Sequence, residues 1–378
     1  MKKYVVLSFA LVTLSFCGRS QGCISVRNIV GFGQFVMPQT GEEPIKWVVN
    51  VNSRYFESWK TYAGTTMVPQ PESYQRATNH IFVADVSFTR MLENGWSVSF
   101  DLPFTSAART SVKEHDGRQP TNPEYTTHAF GLSDIRVAVY KWMWDVSKYH
   151  KGNIQLGLGL KLPTGAYNYQ DYFHKDASDP SKTVLAPVNV STQLGDGGTG
   201  FTIEANSFYT INKSISLYAN GFYLISPRDQ NGVSNLLGGN PGVPNHPEIP
   251  SSVVIAAGGT VNSVPDAYTA RVGANFTANK FIFSAGARME GAPVHDLIGA
   301  SNGLRRSGYV ISVEPGVNYN LKNSMLFAYV PIPFYKTTKQ TVPDQEISRV
   351  TGVTDANVQS SGGFADYLIF VGVLFKVR

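Results

Sequence analysis

The chain has 378 residues, 42% of them hydrophobic and only 16% charged, against roughly 25% charged in an average soluble domain. Its net charge of +5 is scattered, without the basic cluster or stripe that nucleic-acid binding requires. No stretch after the N-terminus has the roughly 18 consecutive apolar residues of a membrane helix. Together with 35 Gly, 19 Tyr and 22 Phe, that favours an all-β chain, in water or in an outer membrane.

Residues 1–22 read as a signal peptide. Lys2 and Lys3 form a charged start, Tyr4 to Phe16 an apolar run too short to span a bilayer, and Ser20 and Gly22 suit cleavage before Cys23. Cys17 and Cys23 both lie at this junction, so the exported chain keeps at most one thiol and no internal disulfide. Ordinary cleavage is favoured over a lipidated cysteine, because Phe16 precedes Cys17 directly and Ser20 stands where an aliphatic residue would precede Cys23. Residues 23–44 carry an apolar patch (Ile29, Val30, Phe32, Phe35, Val36) and are open to three readings: a periplasmic tail, a lumen plug or an extra strand.

From residue 45 onward the apolar residues recur with a period of two, the mark of strands with one apolar and one polar face. Residues 45–56 set Trp47, Val49 and Val51 against Asn50, Asn52 and Arg54. Residues 81–90 set Phe82, Ala84, Val86 and Phe88 against Asp85, Ser87 and Thr89. The turn Glu93-Asn94-Gly95 accepts positive φ and leads into residues 96–104, where Val98, Phe100 and Leu102 oppose Ser97, Ser99 and Asp101. A polar loop, 105–128, precedes a strand in residues 130–143, with Asp134 and Arg136 opposite Ile135, Val137 and Val139. Beyond a short connection edged by Trp142, Trp144 and Tyr149, residues 153–163 alternate Ile154, Leu156, Leu158 and Leu160 with Gln155, Gly157, Gly159 and Lys161.

The same pattern continues after a long loop, 164–194. Strands fall at 201–211 (Glu204 on the polar face), 214–225, 267–276 (Arg271), 281–290 (Arg288, Glu290), 308–319 (Glu314), 324–335 and 367–377. Pro331 and Pro333 cannot donate ladder bonds, which places them near a rim. The result is a transmembrane antiparallel β-barrel of about 12 strands over residues 45–378. Short turns alternate with long loops throughout, which puts both termini and the short turns in the periplasm and the long loops outside.

On this register the inward charges are Arg54, Arg136, Lys161, Arg271 and Arg288 against Asp85, Asp101, Asp134, Glu204, Glu290 and Glu314. A ring of one sign would select ions; this nearly balanced set points to paired networks in a narrow or partly plugged lumen, with packing and solvation weighed ahead of orienting a substrate. No catalytic or metal site and no cofactor is expected. The seven histidines fall mostly in loops or at strand ends, and none begins a His-x-Ser on a strand as a barrel hydrolase would need. Asp171, Asp176 and Asp179 lack compact calcium-loop spacing, and Gly195-Asp196-Gly197-Gly198 precedes a strand, not the helix of a phosphate loop.

Four segments carry a family resemblance: GLSDIRVAVYKWM (Gly131 to Met143), GLGLKLPTGAYN (Gly157 to Asn168), and LGDGGTGF and YVPIPFYKTTKQ further on. They resemble the outer-membrane barrel family of the meta-pathway of phenol degradation, a transporter-like channel family. Gly131, Asp134, Tyr140 and Pro163-Thr164-Gly165 match its pattern, while Ser133 stands where the family usually has glycine. The resemblance spans most of the exported chain and implies a barrel related to hydrophobic-solute transporters. The expectation is an outer-membrane channel, not an enzyme, surrounded by membrane lipid and passing small solutes, hydrophobic or aromatic ones among them. The alternative is a structural or surface-interaction barrel with a closed lumen.

Overall fold

The computed structural model describes residues 45–68, 77–112, 114–115, 123–145, 148–149, 151–176, 179, 181–234, 248–353 and 362–378. The signal peptide and the 23–44 segment expected above lie outside the described residues.

Twelve antiparallel strands form one sheet. They are β1 (Trp47–Ser58), β2 (Ala77–Met91), β3 (Trp96–Ser111), β4 in two pieces (Tyr125–Leu132 and Arg136–Trp142), β5 (Gly152–Lys161) and β6 (Gly200–Thr210). The second half is β7 (Ile215–Ile225), β8 (Ala267–Ala278), β9 (Phe281–Ala292), β10 (Gly308–Asn320), β11 in two pieces (Ser324–Tyr329 and Ile332–Thr338) and β12 (Tyr367–Val377). Each strand pairs with its neighbours in sequence, and β12 pairs with β1, so the sheet closes into a barrel. Closure leaves no unpaired edge, which is what allows a sheet to cross hydrocarbon. The break in β11 falls at Val330-Pro331, where the missing N–H interrupts the ladder.

The two faces differ as the alternation demands. Outward side chains such as Leu158 (67% exposed), Val272 (59%) and Phe201 (51%) stand bare, while their inward neighbours Thr202, Asn206 and Arg271 are buried. A belt of exposed apolar side chains around a closed barrel is stable in lipid rather than water, and the protein is an outer-membrane β-barrel. At the end bearing the short turns, outward Trp47, Trp96 and Tyr209 lie 5.1–5.5 Å from the cationic groups of Arg90, Lys141 and Lys151. That is the aromatic and cationic girdle of a membrane interface. The turns there are tight: Asn94 (φ 56°) and Asn279 (φ 55°) adopt the left-handed conformation that joins β2 to β3 and β8 to β9.

Two local expectations change. Trp142, expected with Trp144 at the periplasmic rim, faces inward instead, 4% exposed and edge-on to Phe208 at 5.9 Å, while Trp144 and Tyr149 are exposed at the turn. The stretch 105–128 is not all loop, because β3 runs to Ser111 and pairs with the first piece of β4. Its outward residues there are Ser106, Ala108 and Thr110. They are small and mostly polar, so the pattern that identifies a lipid-facing strand is absent.

Candidate lumen constriction

The interior is built from the polar alternates of the strands. Nine of the eleven charged residues expected inward are buried, and the other two, Asp85 and Glu290, are half-buried. All eleven sit on the inward face, in three groups.

The first group joins β3, β4 and β6. Arg136, fully buried, donates Nε to Asp101 Oδ2 at 2.9 Å and NH1 to Glu204, and its NH2 lies 3.2 Å from the Tyr140 hydroxyl. Tyr140 in turn donates to Glu204 Oε2 at 3.0 Å, and Ser99 donates to Asp101 at 2.9 Å. A glycine makes this possible: a Cβ on Gly157 of β5 would lie 2.5 Å from the Tyr140 ring, which uses that space to reach across the wall. Arg54 and Asp85 approach from β1 and β2, on neighbouring inward positions.

The second group joins β8, β9 and β10. Glu314 accepts from Arg271 Nε at 2.8 Å and from Arg288 NH1 at 3.1 Å, and Arg288 also donates to Glu290 at 2.7 Å. Aromatic rings back both cations, Tyr329 under Arg271 at 5.5 Å and Phe370 under Arg288 at 5.0 Å. These charges are compensated locally, and the tyrosines and phenylalanines fill the space between them. Sequence reasoning did not single out Tyr329, Phe370 or Phe327, because inward aromatic residues look like breaks in a polar face.

The third group ties down a loop. Lys161, at the outer end of β5, donates to Asp134 Oδ2 at 3.3 Å and to both carboxylate oxygens of Asp196. Asp134 also accepts the N–H of Gly165 at 3.0 Å and of Asp196 at 3.3 Å. Thr164 donates to the Ser133 carbonyl at 2.8 Å and accepts from Ile135 N at 2.9 Å. Both ends of the 162–199 loop are therefore fastened to the bulge between the two pieces of β4. The crossing is so close that a Cβ on Gly195 would lie 2.7 Å from Asp134 Oδ1 and nearer still to the Gly165 carbonyl oxygen.

Between those fastened ends the loop enters the barrel. Val188 and Leu194 are 2% and 3% exposed and belong to one apolar cluster with inward residues of the wall, among them Phe56, Ile81, Val83, Phe327 and Leu368. Polar contacts hold it as well. Ser191 donates to Asn79 at 3.3 Å, and Asn189 donates at 3.1 Å to Glu114, whose carboxylate takes two 2.7 Å bonds from buried Arg109. The remainder of the loop forms a hairpin, Gln170–His174 with Thr183–Pro187, outside the lumen. Asp176 and Asp179 there pair with Lys182.

No family model and no curated protein matches the chain. Among solved structures, an outer membrane channel from Pseudomonas putida F1 aligns with a TM-score of 0.56 at 10% identity, covering 90% of this chain and 99% of that one. The translocator domain of the autotransporter NalP from Neisseria meningitidis aligns with a TM-score of 0.41 at 9% identity, covering 89% and 90%. A FadL homologue from Pseudomonas aeruginosa gives 0.36 at 8% identity, covering 88% and 91%. The first likeness establishes a shared barrel fold.

Proposed function

We propose that the protein is a passive outer-membrane channel for small solutes, hydrophobic or aromatic ones among them, whose lumen is closed at rest by the 162–199 loop. The observation that carries this reading is the nature of the obstruction. The wall is lined by ion pairs, amides and hydroxyl groups, and the segment in its outer half is a loop fastened by a small polar clasp rather than part of the wall itself. Release of the loop would open a polar, charge-balanced path that prefers neither cations nor anions. The outer loops would collect the solute, and the two ion-paired groups would narrow its route. No energy source and no covalent chemistry is required. The hydrophobic class of solute rests on the motif resemblance, and it is supported by the aromatic rings interleaved with the charges.

A closed structural barrel is the competing reading, favoured by the apolar seal that Val188 and Leu194 make with the wall. Planar-bilayer recording and liposome swelling with the purified protein separate the two. Permeation of small neutral solutes is expected. Absence of conductance and of swelling, both in the wild type and in a variant with the clasp removed, would refute the channel.

A further inference from the structure

Charges scattered along the sequence are gathered by the fold at one rim. The short turns of such barrels face the periplasm, and here they are basic. Lys213, Lys280 and Lys322 stand exposed in the β6–β7, β8–β9 and β10–β11 turns. Among the described residues of all the short turns, the only acids are Glu93 and Asp145. At the outer end, by contrast, acids and cations are mixed, as in the Asp196–Lys161 and Asp296–Arg305 pairs.

One part of the basic rim is shaped. A groove of about 750 Å³ runs up the lipid-facing wall from the β4–β5 turn across β5 to β8. Strand register explains it. Ile154, Ser207, Ala219 and Val272 lie side by side on those four strands, all facing outward. The two middle side chains are small and the two outer ones project, so the floor is recessed between apolar walls. Tyr209 and Leu217 border it nearer the turn, and Trp144, Tyr149, Lys148 and Lys151 surround its mouth. The mouth is held in place. Asn153 accepts the Trp144 N–H at 3.1 Å and donates to the Trp144 carbonyl at 2.8 Å. The N–H groups of Lys148 and Tyr149 both donate to the Asp145 carbonyl, at 3.0 and 2.9 Å.

We propose that this groove binds one acidic phospholipid of the periplasmic leaflet. An acyl chain lies along Ile154, Ala219 and Val272, and the head-group phosphate meets Lys148 and Lys151. The volume is within the ~300–1,000 Å³ of ordinary ligand pockets. The order of its surfaces matches that of the lipid itself: apolar within the membrane, aromatic at the boundary, cationic beyond. Asp145 lies 3.7 Å from Lys148 and offsets part of that charge. Lys151 rests against the Tyr209 ring at 5.5 Å, with no carboxylate partner among the described residues. The mouth therefore keeps a net positive charge, which an anionic head group neutralises and a zwitterionic one does not. An acidic protein would complement the lysines but not the apolar floor, which faces hydrocarbon.

Native mass spectrometry of the purified protein released from micelles tests the site, with phosphatidylglycerol and phosphatidylethanolamine titrated separately. One phosphatidylglycerol is expected to bind ahead of all others, about ten-fold tighter than phosphatidylethanolamine. That lies between the roughly five-fold of one lysine and the roughly 30-fold of two, because Asp145 offsets part of Lys148. The double substitution Lys148→Gln, Lys151→Gln should erase the preference, and Lys322→Gln, outside the groove, should keep it. Ala219→Phe fills the floor and should weaken first-site binding of both lipids. Folding of each variant is read from its migration on an unheated gel. The lysines are exposed turn residues, so their substitution decides the matter even where Ala219→Phe destabilises the barrel. Equal affinity for the two lipids, or a preference that survives loss of both lysines, would overturn the proposal. An equal loss in Lys322→Gln would also overturn it, by making the rim a diffuse charge rather than a site. So would a dimer in the spectrum that Ala219→Phe disperses, because a second copy would then occupy the groove.

Discussion

Lys161→Met removes the one cation of the clasp and leaves Asp134 and Asp196 facing each other. The Lys161 and Asp134 side chains are 3% and 2% exposed, while Asp196 is 23% exposed. Stranding one side of a buried pair costs about 3–5 kcal/mol. Because Asp196 retains water, the low end applies, about 3 kcal/mol, or a shift of about 100-fold in the equilibrium between inserted and released loop. The loop keeps its Ser191–Asn79 and Asn189–Glu114 bonds and its apolar contacts, so release is a population shift rather than a complete loss of the closed form. In single-channel recording, rare openings of the wild type become frequent in Lys161→Met at unchanged open-state conductance. Adding Asp134→Asn and Asp196→Asn to the same chain removes the stranded charges, while the amide oxygen introduced by Asp134→Asn can still accept the Gly165 N–H, and closure returns in large part. A Lys161→Met protein that migrates as a folded barrel on an unheated gel yet opens no more often than wild type would refute the clasp.

Gly195→Ala forces a Cβ to within 2.7 Å of Asp134 and against the Gly165 carbonyl. It should raise opening frequency as overpacking by about 1–3 kcal/mol would, whereas Gly221→Ala, which meets nothing within 4 Å, should record like wild type. Arg136→Met strands Asp101 and Glu204 in the wall and should destabilise the barrel by about 3–5 kcal/mol. Denaturant titration in micelles reads this as a lower unfolding midpoint, and an unchanged midpoint would argue that the pair is solvated. Outside the barrel, Thr341 caps the helix Val342–Thr351 through the Asp344 N–H at 3.3 Å, reciprocated by Asp344 Oδ2 at 2.8 Å. Thr341→Ala should cost that helix about 1 kcal/mol, seen as faster hydrogen exchange of its amides with the strand amides unchanged.

The strands were legible because lipid on one side and a polar interior on the other impose a strict period of two. A register error of one residue would have turned every charge outward. Where that constraint ends, legibility ends too. Above Phe104 the outward side chains of β3 are Ser106, Ala108 and Thr110, and nothing in their chemistry distinguishes a solvated strand from a loop. Trp142 shows a related failure. An aromatic residue beside a short turn suits the interface girdle, but its position two residues after Tyr140 puts it on the inward face.

The inserted loop was hidden for a different reason. Its sequence is rich in turn residues, and the face it buries is carried by Tyr169, Val188 and Leu194, three scattered residues with no period to read. The clasp is assembled from three short segments, Ser133-Asp134, Pro163-Thr164-Gly165 and Leu194-Gly195-Asp196, whose separations in sequence say nothing about their meeting. What joins them is backbone: Asp134 accepts two main-chain N–H groups, and Gly165 and Gly195 lie too close for side chains. Bonds to main chain leave no complementary residue type to find. Asp134 and Lys161 were therefore readable as a balanced pair, but not as the point where the 162–199 loop is fastened. The inward acids and cations were visible from the alternation alone, whereas their division of labour, two groups bracing the wall and one fastening a loop, depends on which strands the closed barrel makes neighbours.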